Sequence, residues 1–298
     1  MSAPASPVNR LLPFALAAAG VGFLSLMDAL MKEAALATGT YTATVLRSLF
    51  GAAIIAPFWL ARRSGWPERP VMKLHIERGI ISAFMALSFF YALTKLPLAE
   101  AIAISFVAPL IALYFARVLL GEKIQRAAIG ASVLGLIGTL VIVGGKLGGV
   151  GLDRDVLLGL ASLMFSAILY AYNFVVIRRQ SQVAGPVEIA TFHSGVGGLV
   201  LLVFAPFLGT VPQTGALMNL VLAGLLTVAG AMAIAWAYAR AEAQQLVPIE
   251  YTGFLWASLL GWLFFREPVT LPTIAGTALI VAGCWIATRR PRPKGIGR

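Results

Sequence analysis

The sequence contains the same pattern twice, and the two copies are separated by 145 residues. Residues 91–122 align with residues 236–267 under this shift, and each copy ends an apolar run with a glutamate, Glu122 or Glu267. Each half of the chain holds five apolar segments long enough to cross a bilayer. Because an odd number of crossings leaves the chain on the opposite side, we predict that the second half inserts with inverted topology. Inverted repeats are typical of secondary transporters, whose substrate sites lie near the bilayer midplane.

The composition excludes an ordinary soluble domain. Charged residues make up 12% of the chain and hydrophobic residues 59%, whereas about a quarter of the residues in soluble domains are charged. The mean hydropathy is +0.89, and one membrane crossing needs about 20 apolar residues. The sequence therefore predicts an all-α integral membrane protein with ten transmembrane helices in two inverted five-helix repeats. The predicted spans are 11–36, 41–61, 74–94, 97–119, 125–144, 155–177, 187–208, 214–239, 245–265 and 270–288.

These spans also set the expected domain boundaries. The first span is too long for the apolar region of a signal peptide and has no small-residue cleavage site, so we retain it as a helix. The expected segments are a cytoplasmic N-terminal tail (1–10), a first repeat (11–145), an inter-repeat loop (146–154), a second repeat (155–288) and a basic cytoplasmic tail (289–298).

The net charge of +11 is distributed as a topology signal. Most of the 23 lysines and arginines lie in the two tails and in the loops on the same side as the tails. The other side has five basic residues, Lys32, Lys95, Lys146, Arg154 and Arg266. Because basic residues are enriched in cytoplasmic loops, we predict a bacterial inner-membrane protein with both termini in the cytoplasm. The expected partners are the lipid bilayer and a small-molecule substrate, not nucleic acid, and the sequence leaves the oligomeric state open.

Residues for catalysis or cofactor binding are not recognisable. Cys284 is the single cysteine and lies within a span, which argues against an internal disulfide and a cysteine metal cluster. The sequence has no HExxH motif, and the Gly-Gly-Lys at 144–146 lacks the other residues of a phosphate-binding loop. We therefore expect no metal, no cofactor and no enzymatic activity.

Polar residues occur at the same register in the first span of each half. Ser25, Asp28 and Lys32 lie on one helix face, and the 145-residue shift brings this face onto Tyr170 and Asn173. An ionisable group inside a span costs at least about 2.5 kcal/mol, so it usually has a partner or a function. Asp28 and Lys32 are therefore candidates for coupling or pocket charges. The alternative is that the two side chains only neutralise each other.

Three further polar residues lie within predicted spans. Arg47 is expected to have a structural role with a carboxylate partner, and Asp28 and Glu33 are in range. Glu250 is a candidate for proton coupling or for binding a substrate amine, unless it is simply hydrated near the cytoplasmic mouth. His193 is alone on an apolar helix, which favours a packing residue over a pH switch.

Helix ends and helix breaks can also be predicted. Glu122 and Glu267 each lie between two spans, where a carboxylate beside a helix N-terminus is favourable, so we predict that both cap helices. Pro109 and Pro248 are expected to loosen the fourth and ninth spans, whose freed carbonyls neighbouring helices can satisfy.

A substrate pocket needs mostly apolar walls and a few polar groups that fix orientation. Aromatic rings could stack on an apolar substrate side chain, while Ser105 and Asn173 could bind an amino-acid backbone. The alternative is that the aromatic residues only pack helices or lie in the interfacial belts. The candidate substrate-binding residues are Tyr91, Ser105, Tyr170, Asn173, Trp236 and Tyr251.

The chain resembles the drug/metabolite transporter superfamily, in the duplicated form found among metabolite exporters. The matching features are the two inverted halves, Lys32, Arg47, Pro109 and the Gly-Glu at 121–122. The second half departs from this pattern because Arg266 replaces the glycine of Gly-Glu and Phe254 stands opposite Pro109. The resemblance implies a central cavity built by spans one, three, four, six, eight and nine, in a branch similar to bacterial aromatic amino-acid exporters.

The resulting functional prediction is a secondary transporter that exports amino acids, including aromatic ones, and related small metabolites by alternating access. One alternative is an uptake carrier for a nucleoside-linked or vitamin-like metabolite. An alternative of another class is a non-transporting membrane scaffold or a lipid-handling enzyme. Transport requires polar residues that converge at mid-depth, whereas a scaffold has no need of Asp28 or Glu250 within a span.

Overall fold

The computed structural model describes residues 7–62, 65–120, 126–147, 153–180, 182–238, 249 and 252–288. Every regular element in these ranges is a helix. The helices are α1 (Pro7–Thr38), α2 (Thr40–Ala61), α3 (Arg69–Lys95), α4 (Leu98–Ser105), α5 (Ala108–Leu120), α6 (Arg126–Leu147), α7 (Arg154–Gln180), α8 (Pro186–Leu202), α9 (Ala205–Leu208), α10 (Thr214–Tyr238), α11 (Thr252–Phe265) and α12 (Leu271–Thr288).

Five of the described helices are long and apolar enough to cross a membrane. They include the segments Leu12–Thr38, Thr40–Ala61, Arg69–Lys95, Arg154–Ile177 and Thr214–Ile234. Other apolar helices in the described residues are shorter, among them α8 and α11. Large apolar side chains are also widely exposed, for example Leu255 at 65% and Leu199 at 60%. A surface of this kind is stable against lipid, whereas soluble proteins rarely expose large apolar patches.

The fourth predicted span is divided into two helices, α4 and α5. At the break, the Phe106 N–H donates to the Ala103 carbonyl at 3.2 Å and the Val107 N–H to the Ile104 carbonyl at 3.0 Å. Pro109 has no N–H to donate to the carbonyl of Ser105, four residues before it, so the regular ladder cannot continue. Discontinuous helices of this kind often form substrate sites in transporters.

The two halves of the chain pack together in a reciprocal way. Helix α1 of the first half packs along α10 of the second half, and α7 of the second half packs along α3 of the first half. Under the 145-residue shift α1 corresponds to α7 and α3 corresponds to α10, so the two contacts are counterparts. Two further pairs, α2 with α8 and α6 with α12, each join a helix to its own counterpart. This exchange is what a two-fold axis between two similar halves produces.

Glycines bring paired helices into close contact. A Cβ atom added to Gly138 of α6 would lie 2.5 Å from the carbonyl oxygen of Gly276 on α12. A Cβ atom added to Gly20 of α1 would lie 3.1 Å from the carbonyl oxygen of Gly230 on α10. Small residues allow helix backbones to approach in this way in membranes, where no hydrophobic force drives helices together.

Candidate functional site

Among the described residues, three groups of polar side chains contain the charged or unpartnered side chains discussed below. The first, which we call the Lys32 junction, consists of Lys32 and Glu267 with the backbone of Leu96 and Leu98. The second, the His75 network, contains His75, Arg78, Asn173, Gln180 and Glu188. The third, the Arg47 cavity, is lined by Arg47, Ser48, Gly51, Ser82, Ala83, His193, Ser194, Gly197, Gly224, Thr227 and Val228.

The Lys32 junction joins α1 to the two loops that flank α4 and α12. The Lys32 ammonium forms an ion pair with Glu267, and it donates a hydrogen bond to the Leu96 carbonyl at 2.8 Å. The second oxygen of Glu267 accepts the Leu98 N–H at 2.7 Å. Because Lys32 is only 4% exposed, this ion pair compensates a charge that would otherwise be buried alone.

Glu267 differs from its predicted role as a cap that starts the following helix. Its carboxylate binds the first residue of α4, Leu98, which belongs to the other half of the chain. The N–H groups of a first helical turn have no partner within the helix, so the carboxylate satisfies one of them. The corresponding Glu122 lies outside the described residues.

The turn before Glu267 is unusual because Arg266 has a left-handed backbone with φ of 56°. The Arg266 N–H donates to the Trp262 carbonyl at 3.0 Å, which ends α11 in a left-handed cap. Glycine normally fills such a position. The Arg266 guanidinium also lies 5.3 Å from the Trp262 ring centroid, a cation–π contact.

The His75 network lies where α3 begins, α7 ends and α8 begins. His75 donates from Nε2 to Glu188 at 2.9 Å, and Gln180 donates from Nε2 to His75 Nδ1 at 2.6 Å. Arg78 donates to Gln180 Oε1 at 3.0 Å and to Asn173 Oδ1 at 3.3 Å. His75 and Gln180 have no exposed surface. The network is therefore a buried polar connection between three helices in which the donors and acceptors match.

The Arg47 cavity is polar, and three of its polar groups have no hydrogen-bond partner among the described residues. Among the described residues, four buried side-chain nitrogen or oxygen atoms have no hydrogen-bond partner, and three of them belong to this cavity: Arg47 Nε, Ser82 Oγ and His193 Nδ1. A buried polar atom without a partner costs roughly 1–3 kcal/mol. The cavity is small, with a volume of about 30 Å³ open to the centre of a water molecule.

This cavity lies midway along the helices that line it. Ser82 is thirteen residues from each end of α3 (Arg69–Lys95), which is roughly 20 Å at 1.5 Å per residue. Thr227 is thirteen residues from the start of α10 and eleven from its end. His193 is seven residues from the start of α8 and nine from its end. The Arg47 cavity is therefore far from the ends of the bundle.

The lining of the cavity also combines matching positions of the two halves. The 145-residue shift relates Ser82 to Thr227 and Ser48 to His193, and it also relates Ala83 to Val228. Matching positions come together in this way only near the axis that relates the halves. The Arg47 cavity therefore lies where the two repeats meet.

Arg47 has electrostatic rather than hydrogen-bonding neighbours. Asp28 and Arg47 act on each other electrostatically, and Arg78 and Arg47 both act on His193. Within the described part of the chain, the ion pairs closer than 4.0 Å do not include Asp28 and Arg47. The Phe90 ring centroid lies 5.2 Å from the Arg47 guanidinium carbon.

The predicted site residues are distributed over different parts of the bundle. Lys32 belongs to the Lys32 junction, and Asn173 belongs to the His75 network. These two groups lie at opposite ends of the helix bundle. Ser105 donates to the Ala101 carbonyl of its own helix at 2.8 Å, and Tyr170 is 42% exposed.

The other predicted site residues lie as follows. The ring of Tyr91, on α3, has the Lys95 ammonium 6.0 Å from its centroid. Trp236 is half-buried on α10, and Asp28 is on α1 near Arg47. Glu250 and Tyr251 lie outside the described residues.

Several polar residues of these groups were not assigned a role from the sequence. His75, Gln180 and Glu188 carry most of the network, and Ser82 contributes an unpartnered hydroxyl to the cavity. The signal that could have found the cavity is the repeat itself, since the shift brings Ser82 onto Thr227 in the middle of otherwise apolar helices. His193, interpreted as a packing residue, has a buried ring nitrogen without a partner.

The family model of the EamA-like transporter family matches residues 11–144 and 157–289. The two matched segments cover both repeats, and together they account for most of the chain. The chain therefore belongs to the EamA-like transporter family. It is a multi-pass membrane transporter for small molecules, not an enzyme, and the predicted relation to the drug/metabolite transporter superfamily is confirmed.

Characterised relatives carry different substrates. The chain is 29% identical to the pseudopaline exporter CntI of Pseudomonas aeruginosa strain UCBPP-PA14, over 89% of this chain and 92% of that protein. It is 28% identical to the aromatic amino acid exporter YddG of Ancylobacter novellus, over 90% and 96%. It is 27% identical to a riboflavin transporter of Rhizobium johnstonii, over 74% and 70%.

The fold is also similar to a solved structure. A crystal structure superimposes with a TM-score of 0.66 at 23% identity, over 95% of this chain and 99% of that chain. At this identity the similarity establishes the helical fold alone.

Proposed function

We propose that this protein exports amino acids and related small metabolites from the cytoplasm across the bacterial inner membrane by alternating access. In this proposal ten helices cross the membrane in two inverted five-helix repeats, 11–145 and 155–288, and both termini are cytoplasmic. The reciprocal packing of α1 with α10 and of α7 with α3 supports the inverted arrangement. This exchange is expected for a pseudo-two-fold axis between the halves, and the odd number of predicted spans in each half makes the inverted form the one we propose.

The observation that carries the proposal is the position of the Arg47 cavity. It lies midway along α3 and α10, and matching positions of both halves line it. A transporter requires a polar site at this depth, because substrate must be reached from either side in turn. A membrane scaffold has no use for unpartnered polar atoms there, since each of them lowers stability.

Alternating access would break the polar contacts at one end of the bundle at a time. The Lys32 junction is the contact on the proposed outer side, and the His75 network is the contact on the proposed cytoplasmic side. Opening of the network would release Asn173 from Arg78, so that Asn173 could then bind substrate. In this proposal Asn173 binds Arg78 when the cytoplasmic end is closed, and it binds the substrate when that end is open.

The substrate-binding and charged residues predicted from the sequence form part of this proposal. Aromatic side chains would line the route beyond the cavity, and the ionisable groups would provide coupling or pocket charges. The proposed substrate-binding residues are Tyr91, Ser105, Tyr170, Asn173, Trp236 and Tyr251, and the proposed charges are Asp28, Lys32 and Glu250.

Amino acids are the preferred substrate class because a similar protein is an exporter of aromatic amino acids. The similarity to a pseudopaline exporter supports export of a small metabolite. The similarity to a riboflavin transporter supports the second candidate, uptake of a vitamin-like metabolite. The two candidates differ in the substrate, so one exchange assay with a panel of compounds can separate them.

The test is counterflow in proteoliposomes that contain the purified full-length protein. Liposomes are preloaded with unlabelled compound, and uptake of the labelled compound is measured for a panel of amino acids, nucleosides and riboflavin. We expect transient accumulation of at least one amino acid above the level in protein-free liposomes. Accumulation of riboflavin alone would favour the second candidate, and no accumulation of any compound would contradict the proposed substrate range.

The topology is tested separately by cysteine labelling in cells. The single cysteine, Cys284, is replaced by serine, and new cysteines are placed one at a time in the 62–73 loop and in the 146–153 loop. A membrane-impermeant reagent should label only the second of these loops from outside. Labelling of both loops from one side would contradict the inverted arrangement, because the proposal puts an odd number of crossings between them.

A further inference from the structure

We propose that Arg47, Ser82 and His193 form a binding site for the carboxylate group of a small organic substrate. This inference rests on the proposed transport function and names the chemical group that the central cavity recognises. It assigns a ligand-binding role to Arg47 and His193, for which the sequence indicated structural roles.

The first argument is that the unpartnered atoms converge. Arg47 comes from α2, Ser82 from α3 and His193 from α8, yet all three line one cavity. Each has a buried nitrogen or oxygen atom with no hydrogen-bond partner. Buried polar groups in folded proteins are nearly always bonded to protein, water or ligand. Three groups without a protein partner at one cavity therefore form a place where a polar ligand can displace water.

The second argument is the charge and hydrogen-bonding character of these atoms. The Arg47 guanidinium and the Ser82 hydroxyl are donors, and His193 Nδ1 donates when it carries the ring hydrogen. Among the residues that the structure describes, no Asp or Glu lines the cavity. A carboxylate accepts up to four hydrogen bonds through its two oxygens, and arginine matches its planar geometry. A neutral or cationic group would leave the Arg47 charge uncompensated.

Two other hydroxyls of the cavity, those of Ser48 and Thr227, are engaged as donors. Ser48 donates to the Thr44 carbonyl at 2.9 Å, and Thr227 donates to the Ala223 carbonyl at 2.7 Å. Ser82 is the counterpart of Thr227 under the repeat, but its hydroxyl has no such bond. At these equivalent positions the Thr227 hydroxyl is therefore bonded, whereas the Ser82 hydroxyl is available as a donor in the same cavity as Arg47.

The third argument is the shape of the lining. Gly51, Gly197 and Gly224 contribute no side chain, and a Cβ added to Gly51 would lie 3.3 Å from Ser194 Oγ. The walls next to the donors are thus made of glycine, alanine and small hydroxyl residues. They suit a compact polar group, and they place the bulk of the substrate outside this part of the cavity.

Asp28 provides the alternative explanation, because it acts on Arg47 electrostatically. If Asp28 were the partner for which Arg47 is retained, neutralising it would destabilise the protein and weaken any anion binding. The carboxylate site predicts the opposite for binding, since removal of a negative charge near Arg47 favours an incoming anion.

The experiment measures binding without transport. The purified full-length chain in detergent is heated with phenylacetate, with phenylacetamide, or with sodium chloride at the same ionic strength, and the melting temperature is followed. Phenylacetate and phenylacetamide have nearly the same shape and differ in the carboxylate. We expect a saturable rise in melting temperature with phenylacetate alone. No difference between the three additives would overturn the proposal.

The variants then locate the site. Arg47→Gln should weaken phenylacetate binding by roughly tenfold or more, as expected for loss of a charged hydrogen bond. Ser82→Ala and His193→Gln should weaken it less, and Asp28→Asn should strengthen it. Arg62→Gln changes an exposed arginine at the end of the same helix, α2, and should leave binding unchanged.

If Arg47→Gln does not fold, Ser82→Ala and His193→Gln decide the question, and unaltered binding in both would overturn the proposal. Failure here can be distinguished from failure of the proposed function. Counterflow of an amino acid together with an unshifted melting temperature would reject the carboxylate site only. A carboxylate-specific shift without counterflow of any substrate would keep the site and reject the proposed transport.

Discussion

The Lys32 junction and the Arg47 cavity both bring a cationic side chain between helices of the two halves, but only the junction supplies its hydrogen-bond partners. Lys32 has a carboxylate and a carbonyl within reach. Arg47 has an unpartnered Nε beside two other unpartnered atoms. Polar groups that are hydrogen-bonded to one another hold helices together, whereas donors without a protein partner are available to bind a ligand. The difference separates a structural connection from a candidate binding site within one bundle.

The largest effect is expected from breaking the junction. Glu267→Gln removes the negative charge while keeping an acceptor for the Leu98 N–H, and it leaves the ammonium of Lys32 buried. Breaking one side of a buried ion pair typically costs about 3 kcal/mol or more. We expect a loss of this size in the free energy of unfolding, measured by denaturant titration in mixed micelles.

The double variant Lys32→Met/Glu267→Gln provides the control for this prediction. Because it removes both charges, it should be more stable than Glu267→Gln alone. If the single and double variants lose equal stability, the ion pair does not contribute to folding. The Lys32 junction would then not differ from the Arg47 cavity as a stabilising contact.

A second, smaller loss of stability is expected from breaking the His75 network, whose polar groups are also hydrogen-bonded to one another. Arg78→Met deletes the donor that binds both Gln180 and Asn173, so two buried acceptors lose a partner. With roughly 1 kcal/mol or more for each lost bond, we expect destabilisation by about 2 kcal/mol in the same titration. Arg69→Met, at an exposed position on the same helix, is the matched control and should change stability little.

Two equally buried serines allow a direct comparison of a hydroxyl that has a hydrogen-bond partner with one that has none. Ser82 and Ser166 are each 4% exposed, but Ser166 donates to the Met85 carbonyl at 2.8 Å while Ser82 has no partner. Ser166→Ala should therefore cost about 1 kcal/mol, whereas Ser82→Ala should be neutral or stabilising in the absence of substrate. Equal losses in the two variants would mean that Ser82 has a partner in the folded protein.

The helical fold could be predicted from the sequence because the signals that determine it are strong. The composition, the apolar segments and the repeat are properties of hundreds of residues, and each of them constrains the architecture independently. The break in the fourth span was also predictable in outline, since Pro109 removes one donor from the ladder. Its division into two separate helices depends on the packing around it.

The candidate site was only partly predictable, because polar contacts depend on helix rotation and on loop geometry. The charges of Lys32 and Arg47 could be recognised as unusual. The sequence suggested Asp28, four residues away on the same helix, as the partner of Lys32, and Asp28 or Glu33 of the preceding span as the partner of Arg47. The actual partner of Lys32 is Glu267, which is 235 residues away along the chain. No local spacing encodes such a contact.

The last and smallest prediction concerns how Glu267 reaches its place in the junction. Arg266 has a left-handed backbone, which costs a residue with a Cβ atom about 1 kcal/mol. Arg266→Gly should relieve this strain but lose the contact with the Trp262 ring, which is worth about 0.5 kcal/mol at an exposed site. The expected net result is a gain of less than 1 kcal/mol in the free energy of unfolding. Arg266→Ala loses the ring contact without relieving the strain, so it should be less stable than Arg266→Gly. Gly39 is the reverse control, because it has a φ of 84° on the same end of the bundle, and Gly39→Ala should lower stability by about 1 kcal/mol. If Arg266→Gly were instead clearly destabilising, the arginine side chain would itself support the Lys32 junction, and the junction would extend beyond the ion pair.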